Sequence, residues 1–350
     1  MLRSPMVWVW LVATGCAPAG AEVGDDPYGE CVHYSTDPEL DAFLAEREAA
    51  YQRAVERAAR WVLALELDPV ALPAHAKPKK RLGELVDVLI RLHDDGVGDP
   101  EVLRARVEQL ARATDDPAYH DMLDVDDVVF KQNATSYLRV AYLLERFGVA
   151  LPRYRREIAR VHPRLDAHMP SRGAHQRGAF HTYYAHFGLK EPFPLKGALE
   201  AGLLAQRADP ARMDRLDAYS VTHEIFVPFD FGEDLDAEPY DAEALAWVRH
   251  VLAVLTDTWV AKGDPDLVAE LVSCLRFVRA TDLPQYRRGI EMLLLTQAED
   301  GHWGDYERFR RRDGDHVTVK YELHTTSVAI DALTAAFHPD RNRALAPVVP

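Results

Sequence analysis

Three segments of the sequence place a histidine beside aromatic or hydroxyl residues, a pattern suited to binding a metal ion or moving a proton. His181 lies in AFHTYYAHFG, His223 and Glu224 lie in YSVTHEIFVPFDFG, and His324 lies in YELHTTS. Imidazole nitrogens and carboxylate oxygens bind zinc and similar divalent cations, and a histidine beside a glutamate can act as base and acid. The chain contains no H-x-x-x-H or H-E-x-x-H pair, so these side chains would have to converge from distant segments.

Two interpretations of these histidines follow. In the first, His181, His223 and His324 bind a divalent metal such as zinc, with Glu224 as a further ligand or as the partner of His223 in acid–base catalysis. In the second, each imidazole is satisfied by its own helix end, where a protonated ring suits the helix dipole. The sequence alone leaves open whether the protein is an enzyme.

The elements that must position these residues are helices. Apolar residues recur at helical spacing from Asp37 onward, and no β-alternating run of useful length interrupts them. Helices are predicted at 38–67, 81–93, 100–113, 126–147, 152–167, 175–187, 196–207, 211–226, 242–262, 265–279, 283–298 and 323–337. Short loops containing Pro, Gly or Asp join them into antiparallel pairs. We therefore expect one all-α domain of helical hairpins at 38–340, after a linker at 17–37 and before a tail at 341–350.

The segment RGIEMLLLTQAEDGHWG, residues 288–304, sets Gln297 near a helix end and follows it with Gly301 and Trp303. It resembles the QW repeat of terpene cyclases. The next segment, HTTSVAIDAL at 324–333, is similar to the inner helix that follows such repeats in protein prenyltransferases and other α/α-toroid proteins. The resemblance covers about residues 288–337, and it implies an α/α toroid whose inner helices line a central cavity.

Two shorter resemblances imply site residues. The string DVDD, residues 124–127, resembles the D-x-D-D signature of class II terpene cyclases, which implies Asp126 as a catalytic acid; the alternative is that these acids begin the helix that follows. The string YELHTTS is similar to the stretch around the zinc histidine of protein prenyltransferases, which implies a metal at His324. A cleft of such a toroid lined by polar residues would also resemble the active-site cleft of polysaccharide lyases.

The first 16 residues form a predicted export signal. MLRSPMVWVWLVATGC has one arginine, an apolar run too short to span a bilayer, and small residues before Cys16. Its end resembles a bacterial lipobox, which implies an acylated Cys16 and a lipid anchor in the cell envelope. Ordinary secretion and a retained cytoplasmic start are the alternatives. The sequence leaves open whether Cys31 and Cys274 pair.

The net charge of the chain bears on which kinds of molecule it can bind. The formal net charge is −15, and this disfavours binding to nucleic acid, because phosphates would be repelled. We expect a lipid-anchored envelope protein with a histidine-lined central cavity, which is either a metal-dependent enzyme of unknown substrate or a non-catalytic protein that binds a small molecule, a polymer or a partner. A relative of terpene cyclases or polysaccharide lyases is a second alternative.

Overall fold

The computed structural model describes residues 37–68, 71–72, 77–192 and 194–339. The predicted signal, Cys16 and the C-terminal tail lie outside them. Within these residues the fold is all-α, as predicted, and the only β pairing is an isolated bridge between Gln297 and Trp303. No helix in this part of the chain has both the length and the apolarity needed to cross a membrane.

Six of the thirteen α-helices in the described residues begin at an aspartate whose side chain accepts hydrogen bonds from the first free backbone amides. Asp37, Asp99 and Asp264 each precede a proline in this way, and Asp214 forms a full capping box with Asp217. The helices are α1 (Pro38–Ala64), α2 (Pro78–Asp94), α3 (Pro100–Ala111), α4 (Asp127–Arg146), α5 (Pro152–His168), α6 (Ala174–Phe187), α7 (Leu195–Glu200), α8 (Arg215–Phe226), α9 (Ala242–Lys262), α10 (Pro265–Phe277), α11 (Pro284–Thr296), α12 (Glu307–Asp313) and α13 (Leu323–Phe337).

The helix contacts divide the helices into two sets. Helix α2 packs on α4, α4 on α6, α6 on α8, α8 on α10, α10 on α13, and α13 packs back on α2. The remaining long helices pack against members of this circuit: α3 on α2, α5 on α4, α9 and α11 on α10, and α1 on α13. Helix α10 is buried on nearly every side, which explains why most of its residues are apolar.

The QW-like segment joins α11 to α1. The Gln297 amide donates to the backbone carbonyls of Ala54, in α1, and Gly301, both at 2.8 Å. Trp303 is fully buried and donates from its indole nitrogen to the carbonyl of Leu293 at 2.7 Å. Gly301 has a φ of +113°, and a Cβ there would lie 2.5 Å from the carbonyl oxygen of Arg57. Glycine is therefore required by both the conformation and the close approach of α1.

Two helix boundaries differ from the sequence prediction more than the others do. The helix expected at 196–207 ends at Glu200, and the one expected from 211 begins at Arg215, because the Asp214 capping box sets its start. The segment between α11 and α13 was expected to be a loop. It contains α12 and a π-helical turn, Thr318–Glu322, which leads directly into α13.

Candidate functional site

The helices of the circuit surround one cavity of about 570 Å³, a size typical of small-molecule sites. All six contribute to its lining: Glu84 from α2, Arg139 from α4, His175 from α6, Tyr219 and His223 from α8, Glu270 from α10, and His324 from α13. The cavity therefore brings together residues that are far apart in the sequence.

His324 is surrounded by three carboxylates. Its Nδ1 lies 3.4 Å from Glu84, and its Nε2 lies 3.6 Å from both Asp266 and Glu270. Burial alone would lower the pKa of this imidazole, but the carboxylates of Asp266, Glu270 and Glu84 raise it to about 9. At neutral pH His324 is therefore a positively charged imidazolium.

Glu84 is held as a carboxylate. One of its oxygens lies 2.6 Å from the guanidinium of Arg81, and the other lies 3.5 Å from the ammonium of Lys80. Burial opposes ionisation, but Arg81, Lys80 and His324 together hold the pKa of Glu84 well below its usual range. A negative charge is thereby fixed beside His324.

His223 has the opposite protonation state. Its Nδ1 lies 3.0 Å from the backbone carbonyl of Tyr219, and because a carbonyl can only accept, this nitrogen carries the proton. Burial, and then the charges of His175 and His324, lower the pKa of His223 well below its ordinary value. The ring is therefore neutral, and its Nε2 has no hydrogen-bond partner among the described residues.

Glu270 lies between the two imidazoles. One of its oxygens accepts a hydrogen bond from Thr222 at 2.5 Å and lies 3.7 Å from Nδ1 of His223, while the other faces His324. Burial, followed by the nearby charge of Asp266, raises the pKa of Glu270 against the pull of His324. The two histidines are thus coupled through a single buried carboxyl group.

Aromatic rings fix the orientation of His223. The ring of Tyr219 lies with its centroid 4.1 Å from that of His223, and His175 approaches edge-on at 5.8 Å. Burial lowers the pKa of His175, so it is another neutral imidazole. Burial, and then the charge of Glu270, raise the pKa of Tyr219, so its hydroxyl keeps its proton at neutral pH.

Three buried polar atoms around this cluster lack hydrogen-bond partners among the described residues. They are Oε1 of Glu84, Oε1 of Glu270 and Nε2 of His324. Buried polar atoms in native proteins are nearly always satisfied by protein or water. Here the three atoms lie in longer ion pairs instead, His324 with Glu84 at 3.4 Å and with Glu270 at 3.6 Å.

The other charges of the cavity are paired with one another. Asp87 accepts from Arg139 at 2.6 Å and from Arg91 at 3.3 Å, and Arg91 also pairs with Asp331. Arg146 lies 3.4 Å from Glu233. These ion pairs tie α2 to α4 and to α13, and they account for most of the polar lining outside the histidine cluster.

The structure brings together only some of the residues singled out from the sequence. His223 and His324 share the cavity, whereas His181 is absent from its lining and lies 2.6 Å from Glu191. The Glu224 carboxylate accepts from the amides of Leu203 and Leu204 at 2.9 and 3.0 Å, outside the cavity lining.

Asp126 is exposed and caps α4 by accepting from the amide of Val129 at 2.9 Å. This is the geometry of the helix-start interpretation. In the described part of the chain, no group of three or more His, Cys, Asp or Glu side chains is arranged to hold a metal ion. The geometry therefore gives no support to zinc coordination by His181, His223 and His324.

Sequence reasoning missed Glu84, Glu270, Asp266 and His175. One signal was available for Glu270, which is the single acid within LVAELVSCL, a run that is otherwise mostly apolar. An acid in such a run must be buried, and a buried acid requires partners. No comparable signal distinguishes Glu84 from the solvent-facing acids of other helices.

The chain matches the model of a family described as a domain of unknown function (DUF6895) over residues 49–334. Because the match covers most of the chain, the chain belongs to that family. No match was found among curated proteins. The matched span contains all the histidines and carboxylates of the cavity cluster.

Proposed function

We propose that this chain is an enzyme that carries out general acid–base catalysis in its central cavity. The observation that carries the proposal is the pair of imidazoles in opposite protonation states, neutral His223 and protonated His324, on either side of Glu270. Titratable groups whose environments drive their pKa values apart are typical of acid–base sites.

In this proposal His223 is the general base. Its proton-bearing Nδ1 is held by the Tyr219 carbonyl, so Nε2 presents its lone pair to a ligand in the cavity. Once His223 accepts a proton, its positive charge is stabilised by Glu270 at 3.7 Å. Glu270 is a positioning residue in this scheme, because it acts through the two imidazoles.

The acid in the same scheme is His324 or the Tyr219 hydroxyl. Both line the cavity, and both carry a proton at neutral pH. His324 is the stronger acid of the two, because its pKa is about 9 whereas that of Tyr219 is raised above the ordinary tyrosine value. A substrate in the cavity can therefore lose a proton to His223 and gain a proton from His324 or from the Tyr219 hydroxyl.

The fold behind this proposal is an α/α toroid of the terpene cyclase and protein prenyltransferase type. Two observations support it: the circuit of contacts from α2 through α13 returns to α2, and the QW-like segment joins the last hairpin to α1. The exposed, capping position of Asp126 does not favour a cyclase acid at the D-x-D-D string. We therefore propose the toroid architecture for this chain, but not the chemistry of the terpene cyclases.

The location proposed for the protein is the cell envelope, with a lipid anchor at Cys16. The support is the sequence of residues 1–16 alone. The alternative function, a lipoprotein that binds its ligand without changing it, uses the same cavity. The size of the cavity and its charged and aromatic lining suit a binding site as well.

The ionisation states are tested by NMR on the protein labelled with 15N-histidine. The His223 resonances should titrate well below the ordinary histidine range, and those of His324 near pH 9. His223→Gln and His324→Gln variants assign the signals. If His223 titrates at an ordinary value, the base proposed here is wrong.

The activity is tested by incubating the protein with a panel of neutral and anionic sugars, esters and peptides and analysing the products. His223→Gln should lower any turnover by about 10²- to 10⁴-fold, while the exposed His250→Gln control should retain it. Ligands that bind tightly but are recovered unchanged would favour the non-catalytic alternative.

A further inference from the structure

Four basic side chains line the cavity where α2, α4 and α6 begin. Lys77 immediately precedes α2, Lys80 lies in its first turn, Lys131 lies near the start of α4, and Arg172 lies two residues before α6. We call this set the basic rim. The free amides and dipoles of helix N termini add further positive potential at such a position.

The charges of the basic rim are poorly neutralised within the described part of the chain. Lys77 and Lys131 have no ion pair there, and Arg172 donates to the backbone carbonyl of Lys131 at 3.0 Å. Lys80 lies 3.5 Å from Glu84, but that carboxylate is already paired with Arg81 at 2.6 Å. The other arginines of the cavity are all paired with acids.

Lys77 and Lys131 are exposed side chains of the cavity lining, in a chain whose formal net charge is −15. Their charges are therefore accessible to a ligand that enters the cavity. Burial, and then repulsion by the nearby charges of Lys80 and Arg81, lowers the pKa of Lys77. A bound anion would relieve that repulsion.

The basic rim also adjoins the histidine cluster. Glu84 follows Lys80 by one helical turn and lies 3.4 Å from His324. On the opposite side, His175 follows Arg172 closely in sequence, and its ring lies 5.8 Å from that of His223. The basic rim and both imidazoles therefore line the same cavity, with Glu84 and His175 connecting them.

We infer that the ligand of this cavity carries an anionic group, a carboxylate or a phosphate, which binds to the basic rim while the rest of the molecule extends towards His223 and His324. Lysine and arginine form their strongest hydrogen bonds with such groups. The inferred anion site depends only on the basic rim. The placement of a reacting atom at His223 rests in addition on the proposed acid–base function.

The inference is tested by isothermal titration of the full-length chain with inorganic phosphate and, separately, with succinate at low ionic strength. We expect at least one of these to bind, and a Lys77→Gln/Lys131→Gln double variant to weaken that binding by about tenfold or more. The matched control is Lys190→Gln/Lys196→Gln, which removes the same charge from exposed positions outside the cavity lining. If only phosphate binds, the anionic group of the ligand is a phosphate. If only succinate binds, it is a carboxylate.

The inference is overturned if neither anion binds to the wild-type chain, or if the rim and control variants weaken binding equally. Circular dichroism and thermal unfolding establish that each variant is folded, and Arg172→Gln provides a second rim variant. The His223→Gln variant separates the two proposals. If it binds the anion normally and no substrate shows turnover that depends on His223, the anion site stands and the acid–base function fails.

Discussion

At the scale of single residues, His223 and His324 differ in protonation because their immediate surroundings differ. Both rings are largely removed from water, which favours the neutral form. Three carboxylates around His324 outweigh the effect of burial on its pKa. His223 instead faces a backbone carbonyl and two other imidazoles. Its one neighbouring carboxyl group, that of Glu270, is shared with His324. The arrangement of acids, and not burial, therefore decides which histidine is charged.

The raised pKa of His324 predicts a specific pH dependence of stability. The folded-state pKa of about 9 lies above the ordinary histidine value of 6.5. The stabilisation from this ring should therefore be complete below pH 6.5 and be lost as the pH rises towards 9. The loss is at most roughly 3 kcal/mol in free energy of unfolding.

Urea denaturation at pH 6, 7.5 and about 9 measures this loss, with each free energy extrapolated to water. A His324→Gln variant should lack the decrease over this interval, while the exposed control His250→Gln should keep the wild-type profile. A His324→Gln profile parallel to that of the wild type would contradict the assignment of this charge.

At the scale of helices, the sequence predicts where each helix lies in the chain far better than it predicts which helices pack together. The Asp37-Pro38 and Asp264-Pro265 starts are readable because capping depends on neighbouring residues alone. The proximity of Glu270 to His324 depends on how α10 packs against α13, and no local pattern encodes it. For the same reason His181 and Glu224 were placed in one site on sequence grounds although neither lines the cavity.

Close packing of α11 on α10 depends on a glycine. A Cβ built at Gly289 would lie 2.4 Å from Cγ2 of Val272, so Gly289→Ala should force the two helices apart. We expect a destabilisation of about 1–3 kcal/mol. The matched control is Gly197→Ala in α7, where nothing lies within 4 Å of the added methyl group.

Because alanine is the better helix former, the control should be neutral or more stable than the wild type by about 0.5–1 kcal/mol. Thermal and urea unfolding of both variants give the comparison directly. Equal behaviour of the two variants would mean that α10 and α11 do not approach as closely as described.

At the scale of the whole molecule, charge is distributed unevenly. The chain carries a formal charge of −15, yet the cavity exposes unpaired lysines at the basic rim. An acidic exterior repels anionic solutes and anionic membranes, so attraction of an anion has to be local. The proposed toroid supplies such a local field by collecting the starts of several helices around one opening. The QW-like segment in the sequence resembles those of toroid proteins, but it carries no information on where the charges of the cavity lie.

The same acidity bears on the proposed membrane anchor. Basic residues draw peripheral proteins to anionic lipid, and a chain with a net charge of −15 has no such overall attraction. Attachment would therefore depend on the acyl chains of Cys16. Replacing Cys16 with serine should move the protein from the detergent phase to the aqueous phase in phase partitioning, whereas the control Cys31→Ser should leave it with the detergent. Intact mass analysis of the wild-type protein should find an acylated N-terminal Cys16, and an unmodified N terminus at another residue would show that the anchor does not exist.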